Sequence, residues 1–573
     1  MKWWKRKVHE IQPEEIFLDS SNLPERNSSQ FEGRIGKPVS GRAILGVGAI
    51  FFLVVLSFSS RAFFLQIAHG ASYADISRNN TLDKSLIFAT RGIIYDQNGA
   101  ELAWNTPASN TASASSTVLD AVATSTYALR KYISEPGFAD LLGFVRYPQA
   151  DSNGEWWQSE YSGVGGLEQE YNTLLSGVNG ASITETNAHD RVVQTNIVTP
   201  PQDGQNLTLS IDAAVQTELY KTLLAHAREQ GFRAGAGVIM DVHTGQVLAL
   251  TSFPEYSNQG FTDGDVQAVS DANTNPLKPM LNRAIAGLYS PGSIVKTIFA
   301  AGALDEGIIS PTTQIDATGE ISIPNPYDPS SPSIFKDWTS HGWIDMEEAI
   351  AVSSDQYFYT IGGGYNGQQG LGISGLDKYA DMFGLASTTG IDLPGEVAGI
   401  VPSPAWKAAN FPNDPTWRLG DTYHTAIGGY SFLTTPVEAV RYAAAIANGG
   451  TLLVPHLIAS STPITSTIPI SDSDLAIVRA GMRLAVTSSR KDATIPQLNI
   501  PGIDIAAKTG TAQIGTHNQF VNSWSIGFWP ADNPKYAFAV VLEQGPSTET
   551  AGVAVGMVPF FEWLVQNEQQ YVN

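Results

Sequence analysis

One apolar segment near the N-terminus constrains this chain more than any other feature of its sequence. Residues 43–60 are eighteen consecutive uncharged residues between Arg42 and Arg61, and they include the apolar run 50–56, IFFLVVL. This length is about enough for one helix through the ~30 Å hydrocarbon core of a membrane, if the helix continues past Arg61 and its side chain reaches the interface. We therefore predict a single transmembrane helix over residues 43–66.

Charge is distributed unevenly around that segment. Residues 1–42 contain eight Lys or Arg and six Asp or Glu, hence +2, whereas the whole chain carries −22 and the remainder −24. Because basic residues stay on the cytoplasmic side of a first membrane helix, we expect a single-pass protein of the inner (cytoplasmic) membrane with a cytoplasmic N-terminus and an extracytoplasmic bulk. A cleaved signal peptide is the alternative, but the leader is about forty residues long and no A-x-A-like site follows.

Composition argues against several kinds of function. A net charge of −22 argues against nucleic acid as a partner. The sequence contains no cysteine, which excludes disulfides and thiolate metal sites. The histidines His341, His424 and His456 are far apart and share no short ligand spacing, so we expect neither a metal centre nor a cofactor.

The segment 289–296, YSPGSIVK, gives the first indication of chemistry. Its Pro-Gly pair precedes an apolar run typical of a buried helix, which places Ser293 and Lys296 one turn apart at a helix start. Residues three positions apart share a helix face, so the Lys296 amine can take the Ser293 proton if burial and a second cation keep that amine neutral. The pattern indicates a serine nucleophile that forms an acyl-enzyme.

The same S-x-x-K pattern occurs twice more, at Ser333 with Lys336 and at Ser488 with Lys491. The first copy lies among prolines and the second in a polar run, and both contexts predict loops without chemistry. Taken alone, Ser293 is interpreted equally well as a helix-capping serine followed by an incidental lysine.

Two further motifs follow Ser293 in order. The triplet 353–355, SSD, begins sixty residues after it, and the segment 508–511, KTGT, begins 155 residues after Ser353. A serine triplet alone more often caps a helix, whereas K-T-G occurs once in the chain and its glycine lets a substrate backbone lie against a strand. The three motifs in this order form the signature of penicillin-binding proteins and serine β-lactamases.

From about residue 60 onward the chain resembles a class B penicillin-binding protein, and in particular the elongation-type penicillin-binding protein 2 family. The stretches that carry this resemblance are 91–96 (RGIIYD), 98–99, 102–103, 166–168 (GLE), 171, 175–177, 391–396 (IDLPGE), 417, 420–423 and 435–436. Septal relatives usually carry asparagine where this chain has Asp355, which favours the elongation branch and leaves the septal branch as the alternative.

The resemblance implies an α+β fold with a single N-terminal transmembrane helix, a β-rich elongated pedestal and a penicillin-binding transpeptidase domain. The expected domains are a cytoplasmic tail (1–42), the membrane helix (43–66), a non-catalytic, dimerisation-like pedestal with a small head (67–235), and the transpeptidase domain (236–573). The Ala/Ser/Thr-rich segment 105–125 is either a poorly ordered loop or part of the head.

Local patterns support a five-stranded antiparallel sheet flanked by helices in that last domain. Apolar runs with intervening turns predict strands at 236–241, 246–251, 503–507, 523–528 and 536–542, and helices at 213–228 and 437–447.

The resemblance further implies a peptidoglycan D,D-transpeptidase that crosslinks D-Ala-D-Ala stem peptides during wall elongation and is acylated by β-lactams. Ser293 would attack the penultimate D-Ala carbonyl, with Lys296 as the base and Ser353 as the proton relay. Lys508 would keep Lys296 neutral and attract the substrate carboxylate. The other assignments are substrate binding by Thr509, Gly510 and Thr511, an oxyanion hole of the Ser293 and Thr511 amides, and Asp355, which would either tether Lys296 or stabilise its protonated form.

Two alternatives come from other classes of function. A β-lactam sensor or β-lactamase is disfavoured because no E-x-x-x-N between Ser293 and Lys508 would position a deacylating water. A catalytically silent scaffold is disfavoured because all three motifs are intact.

Glycan polymerisation is expected to come from a partner. The residues between the membrane helix and the transpeptidase domain resemble a pedestal and not a glycosyltransferase. The implied partners are a SEDS-family glycosyltransferase and rod-shape scaffold proteins, in addition to the membrane itself.

Overall fold

The computed structural model describes residues 40–79, 82–107, 127–152, 155–186, 192–325, 328, 330–548 and 551–572. It divides into two compact units, Met1–Asp83 with Thr184–Thr195, and Lys84–Ile183 with Asn196–Asn573. Residues 108–126, which hold most of the segment left open between loop and head, lie outside the described residues.

The N-terminal helix consists of apolar residues that remain exposed. Helix α1, Gly41–Phe63, continues as a π-helical turn, and the combined helix Gly41–Ala68 is long and apolar enough to cross a membrane, with a mean hydropathy of 2.3. No residue of α1 is buried by the described part of the chain. The prediction of one N-terminal apolar helix is confirmed, and this helix runs from Gly41 to Ala68. Helix α2, Gly70–Asn79, follows.

Short strands dominate residues 82–208, here called the strand-rich segment. One sheet has the order β11 (Leu207–Thr208), β2 (Ile94–Tyr95), β3 (Glu101–Thr106) and β4 (Leu129–Tyr132). In it, β2 pairs antiparallel with β3 and parallel with β11. The pairs β5-β8 and β6-β7 are smaller, and a further sheet has the order β1-β9-β10. These elements are β1 Leu82–Ile87, β2 Ile94–Tyr95, β3 Glu101–Thr106, β4 Leu129–Tyr132, α3 Ala139–Leu142, β5 Phe144–Arg146, β6 Gln149–Ala150, β7 Trp156–Gln158, β8 Ser162–Val164, α4 Gly166–Glu170, α5 Asn172–Ser176, β9 Gly180–Thr186, β10 Val192–Thr199 and β11 Leu207–Thr208.

A buried charge cluster holds the strand-rich segment together. Glu168 accepts hydrogen bonds from Nε of Arg91 at 2.6 Å and from Nε of Arg130 at 2.8 Å, and all three side chains are fully buried. Burial alone would raise the pKa of Glu168, but the two guanidinium groups lower it below its usual value. The stretches around Arg91 and Glu168, distant in sequence, are therefore joined in one polar core.

Residues 212–572, here called the C-terminal domain, contain the predicted five-stranded antiparallel sheet. Its strands lie in the order β13-β12-β22-β21-β20. They are β12 Ala234–Asp241, β13 Val247–Phe253, β20 Ala506–Ile514, β21 Phe520–Trp529 and β22 Tyr536–Pro546.

The strand predicted at 503–507 was wrong in its bounds. It begins only at Ala506 and continues through the K-T-G motif to Ile514. Lys508 and Gly510 lie opposite Ile526 and Trp524 of β21, so the antiparallel ladder extends the strand beyond the apolar run.

Helices cover both faces of this sheet. Val238 and Ile239, neighbours on β12, belong to two separate hydrophobic clusters because successive side chains of a strand point to opposite faces. Helix α6, Ala213–Gln230, packs on the Ile239 face, and helix α16, Pro436–Ala447, packs on the other. Helix α6 precedes residue 235, the expected end of the pedestal, yet it packs on strands β12 and β13 of this sheet.

The remaining helices surround this core. They are α7 Asn258–Asp263, α8 Val266–Thr274, α9 Arg283–Ala286, α10 Lys296–Asp305, α11 Met346–Ala351, α12 Asp355–Gly363, α13 Gly372–Met382, α14 Pro404–Asn410, α15 Leu419–Ala426, α17 Asp472–Thr487, α18 Val553–Gly556 and α19 Val558–Asn567. The remaining strands are β14 Ile315–Ala317, β15 Glu320–Ile323, β16 Ser333–Lys336, β17 Gly342–Ile344, β18 Thr451–Leu453 and β19 Thr465–Thr467.

The last residues of the chain connect the strand-rich segment to the C-terminal domain. The Tyr571 hydroxyl donates to Asp212 Oδ2 at 2.8 Å and accepts from Gln97 Nε2 at 2.5 Å. The Tyr571 carbonyl accepts from Trp529 Nε1 at 2.7 Å. Asp212 also caps helix α6, so one tyrosine joins the start of that helix, the sheet and the strand-rich segment.

Replacing Glu168 by Gln should destabilise the strand-rich segment by about 3 kcal/mol, because two buried guanidinium groups lose their countercharge. Hydrogen exchange at the backbone amides of residues 91–105 measures the free energy of opening. Glu135→Gln is the matched control, since Glu135 and Lys221 form an ion pair that is 52% and 53% exposed. Such a pair contributes about 1 kcal/mol or less, so equal exchange rates in the two variants would contradict the prediction.

Candidate active site

Ser293 lies at the start of a buried helix, as the sequence predicts. A 3-10 turn, Gly292–Val295, carries the serine and leads directly into α10. The residues of α10 from Lys296 to Leu304 are all buried, whereas Ser293 is partly exposed. The hydroxyl is therefore presented to solvent from a rigid base.

Two glycines allow this turn to contact strand β20. Gly292 has a left-handed backbone, with φ +55°, and a Cβ atom there would lie 2.9 Å from the carbonyl oxygen of Thr511. A Cβ atom at Gly510 would lie 2.5 Å from the carbonyl oxygen of Pro291. Glycine is thus needed at both positions for the serine turn and the K-T-G strand to approach this closely.

Lys296 is fully buried and held by three oxygen atoms. Its Nζ donates to the Ser353 carbonyl at 2.7 Å and to Asp355 Oδ1 at 2.6 Å, and it lies 3.4 Å from Ser353 Oγ. Asp355 is therefore in direct contact with the Lys296 amine, as both roles considered for it require.

Ser353 joins a second buried lysine to this pair. Lys508 Nζ donates to Ser353 Oγ at 2.7 Å and to the Thr509 carbonyl at 2.8 Å. Burial lowers the pKa of Lys508 well below its usual range, the charge of Lys296 lowers it further, and Asp355 acts in the opposite direction. The site thus favours the neutral form of Lys508 more than an exposed position would.

The arrangement can move protons. One hydroxyl, that of Ser353, lies within 3.4 Å of both amines, and hydroxyl groups both donate and accept hydrogen bonds. The sequence predicts that Lys508 keeps Lys296 neutral. The resolved effect runs the other way, since burial and the charge of Lys296 lower the pKa of Lys508.

The two other copies of S-x-x-K do not reach this site. Ser333 is exposed on strand β16, which corrects the loop predicted there, because prolines exclude a helix but not a strand that begins after them. Ser488 follows the end of helix α17, in a loop as predicted. Neither serine contacts Lys296 or Lys508 in the described structure.

Sequence reasoning missed Asp337. Its Oδ2 accepts hydrogen bonds from Ser354 Oγ at 2.6 Å and from the Gln356 amide at 2.9 Å. These bonds hold the SSD triplet, 353–355, from a loop that precedes it in sequence. The Asp337 side chain is fully buried beside His341, which lies in the same loop. The role of a buried aspartate is recognised from its hydrogen-bond partners, which the sequence does not show. The one sequence signal is that Asp337 lies shortly before the SSD triplet.

No group of three or more His, Cys, Asp or Glu residues in the described part of the chain is arranged to hold a metal ion. His424 packs against Phe335, and His456 bonds to backbone carbonyls, of Thr244 and Ile458.

Two family models match this sequence. The model described as the penicillin binding protein transpeptidase domain covers residues 235–557. The model described as the penicillin-binding protein dimerisation domain covers residues 109–209.

Curated relatives agree with these matches. The chain is 28% identical to the peptidoglycan D,D-transpeptidase MrdA of Acinetobacter baumannii, over 93% of this chain and 89% of the relative. It is 30% identical to MrdA of Salmonella typhimurium, over 74% of this chain and 71% of the relative. The peptidoglycan D,D-transpeptidase FtsI of Escherichia coli is 25% identical, over 75% and 65%.

Solved structures show the same architecture. Penicillin-binding protein PBP2 of Helicobacter pylori, in complex with MreC, has a TM-score of 0.69 at 27% identity and covers 85% of this chain and 99% of its own. PBP2 of Pseudomonas aeruginosa, in complex with WCK 5153, has a TM-score of 0.67 at 27% identity, with 85% and 98% covered. The chain therefore belongs to the penicillin-binding protein transpeptidase family, in its PBP2 branch, and is an elongation-type peptidoglycan D,D-transpeptidase.

Proposed function

We propose that this transpeptidase works through a serine acyl-enzyme in which Ser293 is the nucleophile. The observation that carries the proposal is the hydroxyl of Ser353, held between two buried lysines, Lys296 and Lys508. Ser293 lies one turn before Lys296, and an adjacent base is what activates a serine hydroxyl for attack on a carbonyl.

The reaction breaks one amide bond and forms another. Ser293 Oγ attacks the carbonyl carbon of the penultimate D-Ala of a stem peptide, and the bond to the terminal D-Ala breaks. An amine of a neighbouring stem peptide then attacks the resulting ester, forms the crosslink and leaves the Ser293 hydroxyl restored. The atoms balance without an oxidant or a cofactor.

Protons follow the contacts of Ser353. Lys296 takes the proton of Ser293, and Asp355, 2.6 Å from the amine, stabilises the resulting cation. Ser353 passes a proton towards the leaving amine, because its oxygen lies within reach of both lysines. Asp355 thus serves as the counterion of the base.

Strand β20 supplies the substrate-binding groups in this proposal. The backbone amides of Ser293 and Thr511 stabilise the developing oxyanion. The closeness of the two segments supports this role, since a Cβ atom placed on Gly292 would lie 3.2 Å from the Thr511 nitrogen. Thr509, Gly510 and Thr511 bind the substrate carboxylate, and the Thr511 side chain is exposed for this purpose.

We also propose the domain organisation expected from sequence. A tail (1–42) lies in the cytoplasm, the helix at 43–66 crosses the inner membrane once, and the remainder is extracytoplasmic. A pedestal (67–235) then separates the membrane from the transpeptidase domain (236–573). The packing of helix α6 supports moving the boundary between those last two domains to about residue 212.

A polymerising partner completes the function. The domains matched in this chain are a transpeptidase and a dimerisation domain, and the H. pylori relative is seen with MreC. We propose a SEDS-family glycosyltransferase as the partner, packed on the exposed helix α1 and on the strand-rich segment near residues 91–103, together with rod-shape scaffold proteins such as MreC.

A penicillin should add one penicilloyl group to the full-length chain, on Ser293, and Ser293→Ala should gain no mass because the attacking oxygen is lost. Intact-mass measurement and peptide mapping test this. Ser333→Ala and Ser488→Ala, which alter the other two S-x-x-K copies, are matched controls and should label like the unaltered chain. An adduct on either of those serines would contradict the assignment, and rapid turnover of nitrocefin would favour a β-lactamase.

Protease added outside spheroplasts should digest the chain down to a membrane-protected N-terminal stub. The reason is the excess of basic residues before the apolar helix, +2 against −24 after it. Immunoblotting for the two ends of the chain measures the outcome. A protected C-terminal domain would show the inverted orientation.

Reconstitution with lipid-linked precursor should yield crosslinked glycan only when the SEDS-type partner is present. Separation of the glycan strands and of the crosslinked peptides measures the two activities independently. With the partner and Ser293→Ala, uncrosslinked strands should accumulate. Strand synthesis by the purified chain alone would refute the division of labour.

A further inference from the structure

The loop that carries Ser353 is strained. Ser353 has a left-handed backbone, with φ +57°, which is uncommon for a residue other than glycine. This conformation places the Ser353 carbonyl on Lys296 and its hydroxyl on Lys508. A strained backbone of this kind persists only where surrounding groups hold it in place.

Asp337 is one group that holds this loop. A single carboxylate oxygen, Oδ2, accepts the Ser354 hydroxyl at 2.6 Å and the Gln356 amide at 2.9 Å. The Ser354 oxygen in turn accepts the Tyr357 amide at 3.2 Å and caps helix α12. The residues on both sides of Asp355 are therefore fixed by one carboxylate, which also carries the charge that a helix N-terminus favours.

His341, Asp492 and Arg490 lie behind Asp337, on the side away from the 353–355 loop. Its Oδ1 lies 3.6 Å from Nε2 of His341, and Nδ1 of His341 lies 2.8 Å from Asp492 Oδ2. Arg490 pairs with Asp492 at 2.9 Å and donates to the His341 carbonyl at 2.9 Å. These four residues are called the Asp337 network.

The charges of the network support one another. Burial would raise the pKa of Asp337, but its contacts with His341, Ser354 and Gln356 lower that pKa to about 2. Burial would lower the pKa of His341, but Asp337 and Asp492 raise it above its usual value. The Trp338 ring lies 5.1 Å from the imidazole, and the charge of Lys296 also stabilises the Asp337 carboxylate. Glu348 pairs with Arg490 at 3.4 Å, on the far side of the network.

We propose that Asp337, held by His341, is a positioning residue for acylation, because it fixes the 353–355 loop with the Ser353 hydroxyl between Lys296 and Lys508. The inference rests on the proposed role of Ser353 as proton relay. Asp337 contacts neither lysine through a hydrogen bond in the described structure, so its effect is transmitted by Ser354 and Gln356. A small displacement of Ser353 is enough to slow the reaction strongly.

The first test measures the second-order rate of acylation of the full-length chain in detergent by a fluorescent penicillin. Asp337→Asn should lower this rate about ten- to hundredfold. Asp504→Asn is the matched control, because Asp504 pairs with Arg483 on the surface, and it should react like the unaltered chain. An unchanged rate in Asp337→Asn would overturn the inference and leave the proposed function intact, whereas normal labelling of Ser293→Ala would overturn the proposed function itself.

A double-mutant cycle separates positioning from general loss of structure. Ser354→Ala should slow acylation as well, and its effect should be largely absent in an Asp337→Asn background, since both changes break the same contact. If the double variant lost the product of the two single rate losses, the two substitutions would act independently and the proposal would be overturned. Thermal unfolding of each variant, measured in parallel, should show that the slow variants are folded at the assay temperature, and slowing only in proportion to the unfolded fraction would also overturn it.

The pH dependence gives a readout that a purely structural role would not move. The rate of the unaltered chain divided by that of His341→Gln should be highest where His341 is protonated and should fall as the pH rises through a value above 6.5. A ratio independent of pH would overturn the part assigned to His341.

Discussion

The burial of two lysines around one hydroxyl is the constraint on which the rest of the structure depends. Lys296 and Lys508 are both fully buried, and Asp355 is the carboxylate in direct contact with the first of them. Removing amines from water is costly unless they are paired and hydrogen-bonded, so the site must be assembled accurately. Helix α10 carries one lysine and strand β20 the other, and the contact allowed by Gly292 and Gly510 sets their separation.

The third member of the site is held in a different way. Ser353 is neither on a helix nor on a strand, and its left-handed backbone depends on neighbours that come from elsewhere in the sequence. The sheet and helices thus position the lysines through packing, whereas hydrogen bonds from a loop position the serine between them. A densely packed core allows few alternative side-chain arrangements. The conformation of a hydrogen-bonded loop depends on the charges of the groups that form its hydrogen bonds.

Sequence patterns predicted the elements that are determined by interactions between residues close in sequence. The five strands, helix α6 and the helix start at Ser293 follow from apolar periodicity and from the Pro-Gly pair, which act over a few residues. The start of strand β20 was misplaced because its ladder is completed by β21, and the strand at Ser333 was missed because it forms only by pairing with β15. Asp337 was not found because its role depends on the fold of two loops against each other.

The junction at Tyr571 has a consequence for how the chain is made. Gln97 and Tyr571 are 474 positions apart, while Arg91 and Glu168 are 77 apart. The strand-rich segment can therefore assemble during synthesis, but the junction cannot close until Tyr571 has been made. Strand β12 likewise has one unpaired edge until β22, its partner on that side, has been made. An unpaired strand edge can pair with strands of other chains. A newly made molecule thus passes through a period in which a half-built sheet needs protection from its neighbours.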